Sequence, residues 1–285
     1  MADVWTYPSI LVGLVGAGIQ ASRTPALHER EGAAQGLRYI YKLIDLEKFG
    51  LDVNSLSDIL KAAQHFGFAG LNITHPCKQA IISLLDELSS DAEALGAVNT
   101  VVLKEGRRVG HNTDWWGFAE SFRRELSDVR RDRVVQFGAG GAGAAVAHAL
   151  LTLGVGEINV IDTDSSRAEN LVDALRRRFG PTRASTGIPI MEAMTAADGM
   201  VNTTPLGMAR YPGMAVPVDL LRPDLWVSDI VYFPLETELL RQARARGCRT
   251  MSGGGMAVFQ AVGAFRLFAG REPDAERMLQ HFSQM

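Results

Sequence analysis

The sequence predicts an α/β protein of two domains, and three observations carry that prediction. Short apolar runs alternate with longer segments of helical period along almost the whole chain, the pattern of parallel sheets covered by helices. At 285 residues the chain exceeds the usual span of one small domain, so its length favours one large domain or two of ordinary size. A glycine-rich run, Gly138-Ala139-Gly140-Gly141-Ala142-Gly143, sits between a Val-rich strand and a helix of small residues.

Taken in order, strands are predicted at 10–15, 39–46, 70–74, 98–103, 134–137, 158–161, 199–202 and 226–231, most of them rich in Val and Ile. Helix 25–35 opens on Pro25, whose missing N–H is no loss at a first turn, with Thr24 as the candidate cap. Helix 55–66 starts with Ser55 and Asp58 at a capping-box-like spacing. Helices at 78–88, 115–126, 142–153, 166–179, 237–246, 255–268 and 273–282 complete the set. Glu105-Gly106, between 98–103 and 108–112, predicts a hairpin that interrupts the parallel pattern. The domain change is placed near Gly110. This gives domains of residues 1–110 and 111–254, with the helices of about 255–285 packing back on the first.

Composition narrows the function classes. Hydrophobic residues at 47% and charged residues at 21% are ordinary for a globular chain with a substantial core. A net charge of -3 with no long block of like charges argues against nucleic acid and anionic lipid as partners. Arg176-Arg177-Arg178 reads as the solvated end of a helix, where cations meet the negative dipole. Met1 to Pro8 lacks a basic region leading into an apolar stretch, and no run of eighteen apolar residues occurs, so a cytoplasmic protein away from membranes is expected. Cys77 and Cys248 read as free thiols, and no cluster has metal-ligand spacing.

The glycine run has the context of a dinucleotide-binding turn and makes the second domain Rossmann-like. Residues 134–137 form a buried strand, and from Ala142 the chain reads as helix. Gly138 permits the sharp turn, Gly140 lets a pyrophosphate approach the backbone, and Gly143 lets the helix lie close to the strand, while the helix N-terminus attracts negative charge. Ala139, Gly141 and Ala142 complete the candidate cradle. The next strand ends in Asp162, about 20 residues on, where a ribose-binding carboxylate belongs. A carboxylate there accepts from both ribose hydroxyls of NAD and repels the 2′-phosphate of NADP, so NAD is favoured. Arg167 is close enough in sequence to meet a phosphate, which leaves NADP open.

Further polar clusters sit at the ends of predicted elements: Ser22-Arg23-Thr24-Pro25, the run from Asn72 to Lys78, Gly96 to Thr100, and His111-Asn112-Thr113-Asp114. With Asn202 to Met208, Asp229-Ile230-Val231-Tyr232 and Met256 to Gln260, they resemble the shikimate/quinate dehydrogenase family over nearly the whole chain. The SRTP form and the run from Gly36 to Asp45 look most like its quinate/shikimate branch. Ser252 and Gly255 depart from more polar residues of that branch before Met256.

The resemblance implies a substrate domain and an NAD(P) domain flanking a cleft, and a small-molecule substrate. The reaction implied is reversible oxidation of shikimate to 3-dehydroshikimate, with quinate as a second substrate. It also implies roles. Ser22 and Thr24 hold the substrate carboxylate; Thr74, Asn99 and Gln260 meet its hydroxyls. Tyr232 lies where the nicotinamide region closes on the substrate, and Thr203, Thr204 and Pro205 lie beside the cofactor. Lys78 and Asp114 match the catalytic pair.

The chemistry of that pair is coherent. Oxidising a secondary alcohol requires removal of the hydroxyl proton as the carbon-bound hydrogen leaves as hydride, so a base must reach that oxygen. A lysine acting as base must first lose its proton, against an ordinary pKa of about 10.4. Asp114 favours the ammonium instead, so it either orients Lys78 and the substrate or shares the proton with it. In reduction the ammonium protonates the developing alkoxide without that difficulty. His75 and His111 adjoin both residues and match no catalytic position of the family. Two rival readings are a quinate- or aminoshikimate-selective enzyme of the same family, and a ligand-binding sensor that has lost turnover.

Overall fold

The computed structural model describes residues 9–285. The segment Met1 to Pro8, on which the reading of the N-terminus rests, lies outside them. Contacts divide the chain into two compact units: the described residues through Thr113 together with Val258–Met285, and Asp114–Ala257.

The first unit opens with β1 (Ser9–Gly16), α1 (Thr24–Ala34), β2 (Arg38–Asp45), α2 (Leu46–Phe49), α3 (Leu56–His65) and β3 (Gly70–Ile73). It continues with α4 (Cys77–Ala80), β4 (Glu87–Leu88), α5 (Ser90–Leu95), β5 (Thr100–Lys104) and β6 (Arg107–His111). Its sheet has the order β2-β1-β3-β5-β6-β4 and is mixed, β5 running antiparallel to both β3 and β6. The β5–β6 hairpin turns on Glu105 and Gly106, as the sequence predicts, and both residues adopt positive φ.

The second unit holds α6 (Asp114–Glu125), β7 (Arg133–Phe137), α7 (Gly141–Thr152), β8 (Glu157–Ile161), α8 (Ser165–Phe179), β9 (Ala184–Thr186) and α9 (Ile190–Ala196). Then come β10 (Gly199–Asn202), β11 (Trp226–Asp229), α10 (Glu238–Ala245) and β12 (Arg249–Met251). Its sheet, β12-β11-β10-β7-β8-β9, is parallel throughout. Counted within the unit this is the doubly wound order 3-2-1-4-5-6, with apolar clusters on both faces.

From Val258 onward, α11 (Gly253–Ala269) belongs to the first unit, as does α12 (Ala275–Ser283). Phe265 and Phe268 of α11 pack with Val12, Leu14, Tyr39 and Tyr41 on one face of the mixed sheet. Glu31 of α1 is fully buried and holds α12 through Arg277 at 2.7 Å and the Asp274 N–H at 3.0 Å.

Three local expectations are corrected. Residues 78–88 do not form one helix: α4 is four residues long, a 3-10 turn follows at Ile82–Leu84, and β4 then pairs with β6. The side-chain-free Gly110 gives Leu85 and Leu88 their space, since a Cβ there would lie 2.6 and 2.8 Å from them. Ser55 caps nothing with its side chain, because a 3-10 turn capped by Asp52 precedes α3. Thr24 is the first residue of α1 rather than its cap, and its N–H donates to Ser22 Oγ at 3.3 Å.

Candidate functional site

In the first unit, β1 and β3 run in parallel while β5 and β6 alternate in direction. The end of β1, the end of β3, the start of β5 and the end of β6 therefore lie at one end of the sheet. Backbone bonds join them there: Ala17 N–H to His75 O at 3.0 Å, and Asn99 N–H to His111 O at 3.0 Å. Thr74, Lys78 and Asn99 occupy this end. Thr74 follows β3, its N–H on Val15 O at 2.9 Å, and Lys78 accepts the Val98 N–H on its carbonyl at 2.9 Å.

Asn99 is buried and its carboxamide is fixed from several sides. Its Oδ1 accepts from Thr113 N–H at 2.8 Å and from Thr100 Oγ1 at 3.0 Å, and its Nδ2 donates to Thr113 Oγ1 at 2.9 Å. The Thr113 hydroxyl in turn donates to the carbonyl of Gln260 at 3.0 Å, tying α11 to the same end. Asn72, buried beneath, donates to Thr100 Oγ1 at 3.0 Å and accepts from Tyr41 Oη at 2.7 Å. Ser22 and Thr24 stand at the start of α1, on a loop held by Asp45. That carboxylate accepts from Gly18 N–H at 3.0 Å, Ile19 N–H at 3.1 Å and Gln20 Nε2 at 2.9 Å. The Gln20 amide and then the backbone donors keep the Asp45 carboxyl below its usual range despite burial.

Sequence reasoning missed Asp45 and Thr113 as organisers, since their partners lie far along the chain. His111 is held below the ordinary histidine range by burial, partly opposed by Glu87. Burial pushes the Cys77 thiol up to about 11, so its place beside Lys78 does not activate it.

In the second unit the strand order reverses direction between β7 and β10, and ligands of such sheets bind in the crevice outside the strand ends at that point. The glycine turn follows β7 there. Gly138 has φ 102, a conformation side chains rarely adopt. A Cβ at Gly143 would lie 2.5 Å from Gly138 O, whereas one at Gly140 or Gly141 would meet nothing within 4 Å. The turn is thus packed tightly on its inner side and open on the outer. Asp162 immediately follows β8 beside it, accepting from Ala139 N–H at 2.7 Å and from Asp164 N–H at 2.9 Å. Arg167 is exposed and paired with Asp164 at 3.1 Å.

The loop after β10 supports the turn from the other side. Thr203 Oγ1 lies 2.8 Å from Phe137 O and 2.9 Å from Gly138 O. Thr204 donates to Asn202 Oδ1 at 2.7 Å, Asn202 donates to Asp229 at 2.9 Å, and Thr237 donates to Asp229 at 2.7 Å. Burial raises the Asp229 carboxyl against these donors. The hydroxyls of Thr203 and Thr204 therefore face the protein, and Pro205 continues the same loop. Tyr232 follows β11 and is 43% exposed, and Asp114, buried, is the first residue of α6. Among the described residues no group of three or more His, Cys, Asp and Glu side chains is placed to hold a metal, and no helix is long and apolar enough to cross a membrane.

A parallel sheet of this order, a glycine turn at its reversal and a carboxylate just after the next strand define a Rossmann-like NAD(P)-binding unit; joined to a mixed α/β unit, they place the chain among two-domain NAD(P)-dependent oxidoreductases. A family model for the shikimate dehydrogenase substrate binding domain matches residues 14–101, and one for the ThiF family matches 115–203. A shikimate dehydrogenase (NADP(+)) of Streptomyces avermitilis is 59% identical over 282 residues, 98% of this chain and 97% of that protein. A quinate/shikimate dehydrogenase (NAD(+)) of Corynebacterium efficiens is 52% identical, covering 97% and 98%. The structure of quinate dehydrogenase from Corynebacterium glutamicum in complex with NAD superposes with a TM-score of 0.92 at 50% identity, over 97% of this chain and 99% of that one. Shikimate 5-dehydrogenase from Listeria monocytogenes in complex with shikimate and NAD gives 0.87 at 29% identity, over 99% of each chain. The chain belongs to the shikimate dehydrogenase family.

Proposed function

We propose that the protein oxidises shikimate reversibly to 3-dehydroshikimate, accepts quinate as a second substrate, and prefers NAD to NADP. The observation that carries this reading is the set of polar groups gathered at one end of the mixed sheet, in a chain whose second sheet ends in an open glycine turn. The turn fits a dinucleotide: its outer side has room for a pyrophosphate at Gly140 and Gly141, and Asp162 stands where a ribose would lie. The bound nicotinamide supplies the hydride acceptor in oxidation and the hydride donor in reduction.

The chain's own residues hold the substrate and move the proton. Ser22 and Thr24 donate to the substrate carboxylate; Thr74, Asn99 and Gln260 exchange hydrogen bonds with its hydroxyls, and Tyr232 borders it. Lys78 Nζ takes the hydroxyl proton as the carbinol hydrogen leaves with its electron pair, and returns it in reduction. Asp114, the other member of the pair, either orients Lys78 and the substrate or shares the proton. The preference for NAD follows from charge, since Asp162 carries a carboxylate and Arg167, the nearest cation in sequence, is already paired with Asp164.

Initial rates with shikimate, quinate and an amino analogue of shikimate, each at matched NAD and NADP, test the reading. Oxidation of shikimate, with quinate slower and NAD ahead of NADP, is expected. Failure to oxidise any of the three overturns the assignment, and turnover of quinate or the amino analogue alone replaces it with the selective form of the same reaction.

A further inference from the structure

Gln136 is the penultimate residue of β7, in the middle of a parallel sheet, fully buried, at a place where apolar side chains are the rule. Its Nε2 lies 2.9 Å from the carbonyl of Gly138 and 3.0 Å from that of Gly143, so one amide bridges the first and last glycines of the turn. Its Oε1 has no hydrogen-bond partner among the described residues. The orientation is dictated by chemistry, because both carbonyls can only accept. An apolar residue of similar length would fill the space without an unpaired oxygen, so the amide is retained at a cost that its bonds to the turn offset.

The consequence lies on the opposite side of the turn. With the Gly138 carbonyl held by Gln136 and Thr203, and the Gly143 carbonyl by Gln136, the inner side of the turn is fixed, and α7 starts with its first N–H groups at Gly140 and Gly141, where a side chain would meet open space. Those N–H groups have no acceptor within the helix, and successive amides of this kind form a concave anion cradle. We propose that Gln136 is a positioning residue for the dinucleotide: it fixes the glycine turn in the form whose amides receive the pyrophosphate. This rests on the dinucleotide reading of the turn given above. Gln136 is fully buried and bonded to backbone carbonyls of the turn, so it acts through the backbone.

The test uses the full chain with Gln136→Met, which keeps length and loses the donor, and Gln136→Glu, which donates one bond when protonated and none when ionised. Thermal unfolding without ligand establishes that each variant is folded. NAD affinity is then measured by calorimetry, and the kinetic constants for NAD and shikimate by initial rates at pH 6 to 9. Gln136→Met raises the KM and Kd for NAD about tenfold while kcat and the KM for shikimate stay within about twofold of the parent. In Gln136→Glu the ratio of its NAD KM to the parent's grows with pH, as the carboxyl loses the proton it donates. A role confined to packing moves neither the split between the two KM values nor that pH dependence. Unchanged NAD constants in both variants overturn the inference, as does a loss spread equally over NAD, shikimate and kcat. If Gln136→Met does not fold, the pH dependence of Gln136→Glu decides alone. A parent protein that binds neither NAD nor NADP overturns the dinucleotide reading itself, an outcome distinct from variants that bind as well as a competent parent.

Discussion

Replacing His28 by leucine will flatten the acid-side loss of stability of the first unit. His28 lies on the inner face of α1 with no exposed surface, ringed by Tyr39, Tyr41, Phe265 and Phe268 at centroid distances of 5.0 to 6.3 Å. Its Nδ1 is 3.1 Å from Tyr39 Oη, and its Nε2 has no partner among the described residues. Burial lowers its pKa from 6.5 to about 3. The folded imidazole thus stays neutral while the unfolded one takes up a proton as pH falls below 6.5, so stability present above that value is lost progressively toward pH 3. The difference amounts to about 2 kcal/mol between pH 7.5 and pH 5. Urea unfolding followed by far-ultraviolet circular dichroism at pH 7.5, 6 and 5 measures it. His28→Leu shifts stability at every pH by a constant, through the lost Tyr39 contact, and removes the pH-dependent 2 kcal/mol. Glu31, one turn along α1, is pushed up by burial but held lower on balance by Arg277, the Asp274 N–H and Gln35, so its ionisation cancels from the comparison. Parallel stability profiles for the parent and His28→Leu would refute the reasoning.

Other substitutions probe the two halves of the site. Asp162→Asn keeps an acceptor for the Ala139 N–H and removes the charge, so kcat/KM with NADP rises relative to NAD by at least about tenfold, an electrostatic difference of roughly 1.4 kcal/mol; an unchanged ratio would clear Asp162 of setting the preference. Gly140→Ala leaves the melting temperature unaltered, because its Cβ meets nothing within 4 Å, and raises the KM for the dinucleotide if the pyrophosphate lies there as proposed. Gly143→Ala places a Cβ 2.5 Å from Gly138 O and lowers stability by about 1 to 3 kcal/mol, read as a lower melting temperature without ligand. Lys78→Ala abolishes turnover and leaves NAD binding by calorimetry largely intact, whereas retained turnover removes Lys78 from proton transfer and a parent protein that binds both ligands without turnover is a sensor.

What the sequence revealed, and what it hid, follows from the range of the interactions. The glycine turn was legible because strand, turn and helix are adjacent in the chain and each glycine answers a local demand. The Glu105-Gly106 hairpin was legible for the same reason. The break in 78–88 was hidden because β4 exists only by pairing with β6, some twenty residues on, and because the space for Leu85 and Leu88 is made by Gly110. The brief β9 and β12, three residues each, carry too little pattern to be read alone and are held by β8 and β11. Within the site, the donors expected to meet the substrate were visible as motifs. Their organisers were not, since Asp45 works on a loop 25 to 27 residues away and Thr113 joins Asn99 to a helix 147 residues on.

Likeness over the whole chain does not select between NAD and NADP. The Streptomyces relative at 59% identity is an NADP(+) enzyme by name, and the Corynebacterium relative at 52% is an NAD(+) enzyme, so identity over the chain does not order the two cofactors. The 2′-phosphate that distinguishes them would lie near the end of β8, and its energy depends on the few groups there. Asp162 is fixed in place, because both of its oxygens accept backbone N–H groups, one from the glycine turn and one from its own loop. A carboxylate held in this way cannot swing aside to admit a phosphate. Arg167 could offset the repulsion only by leaving Asp164, whose carboxylate also caps α8 through the Ser166 and Arg167 N–H groups. Recruiting that arginine would leave Asp164 without its cation, so under the proposed cofactor reading both carboxylates would weigh against a 2′-phosphate there.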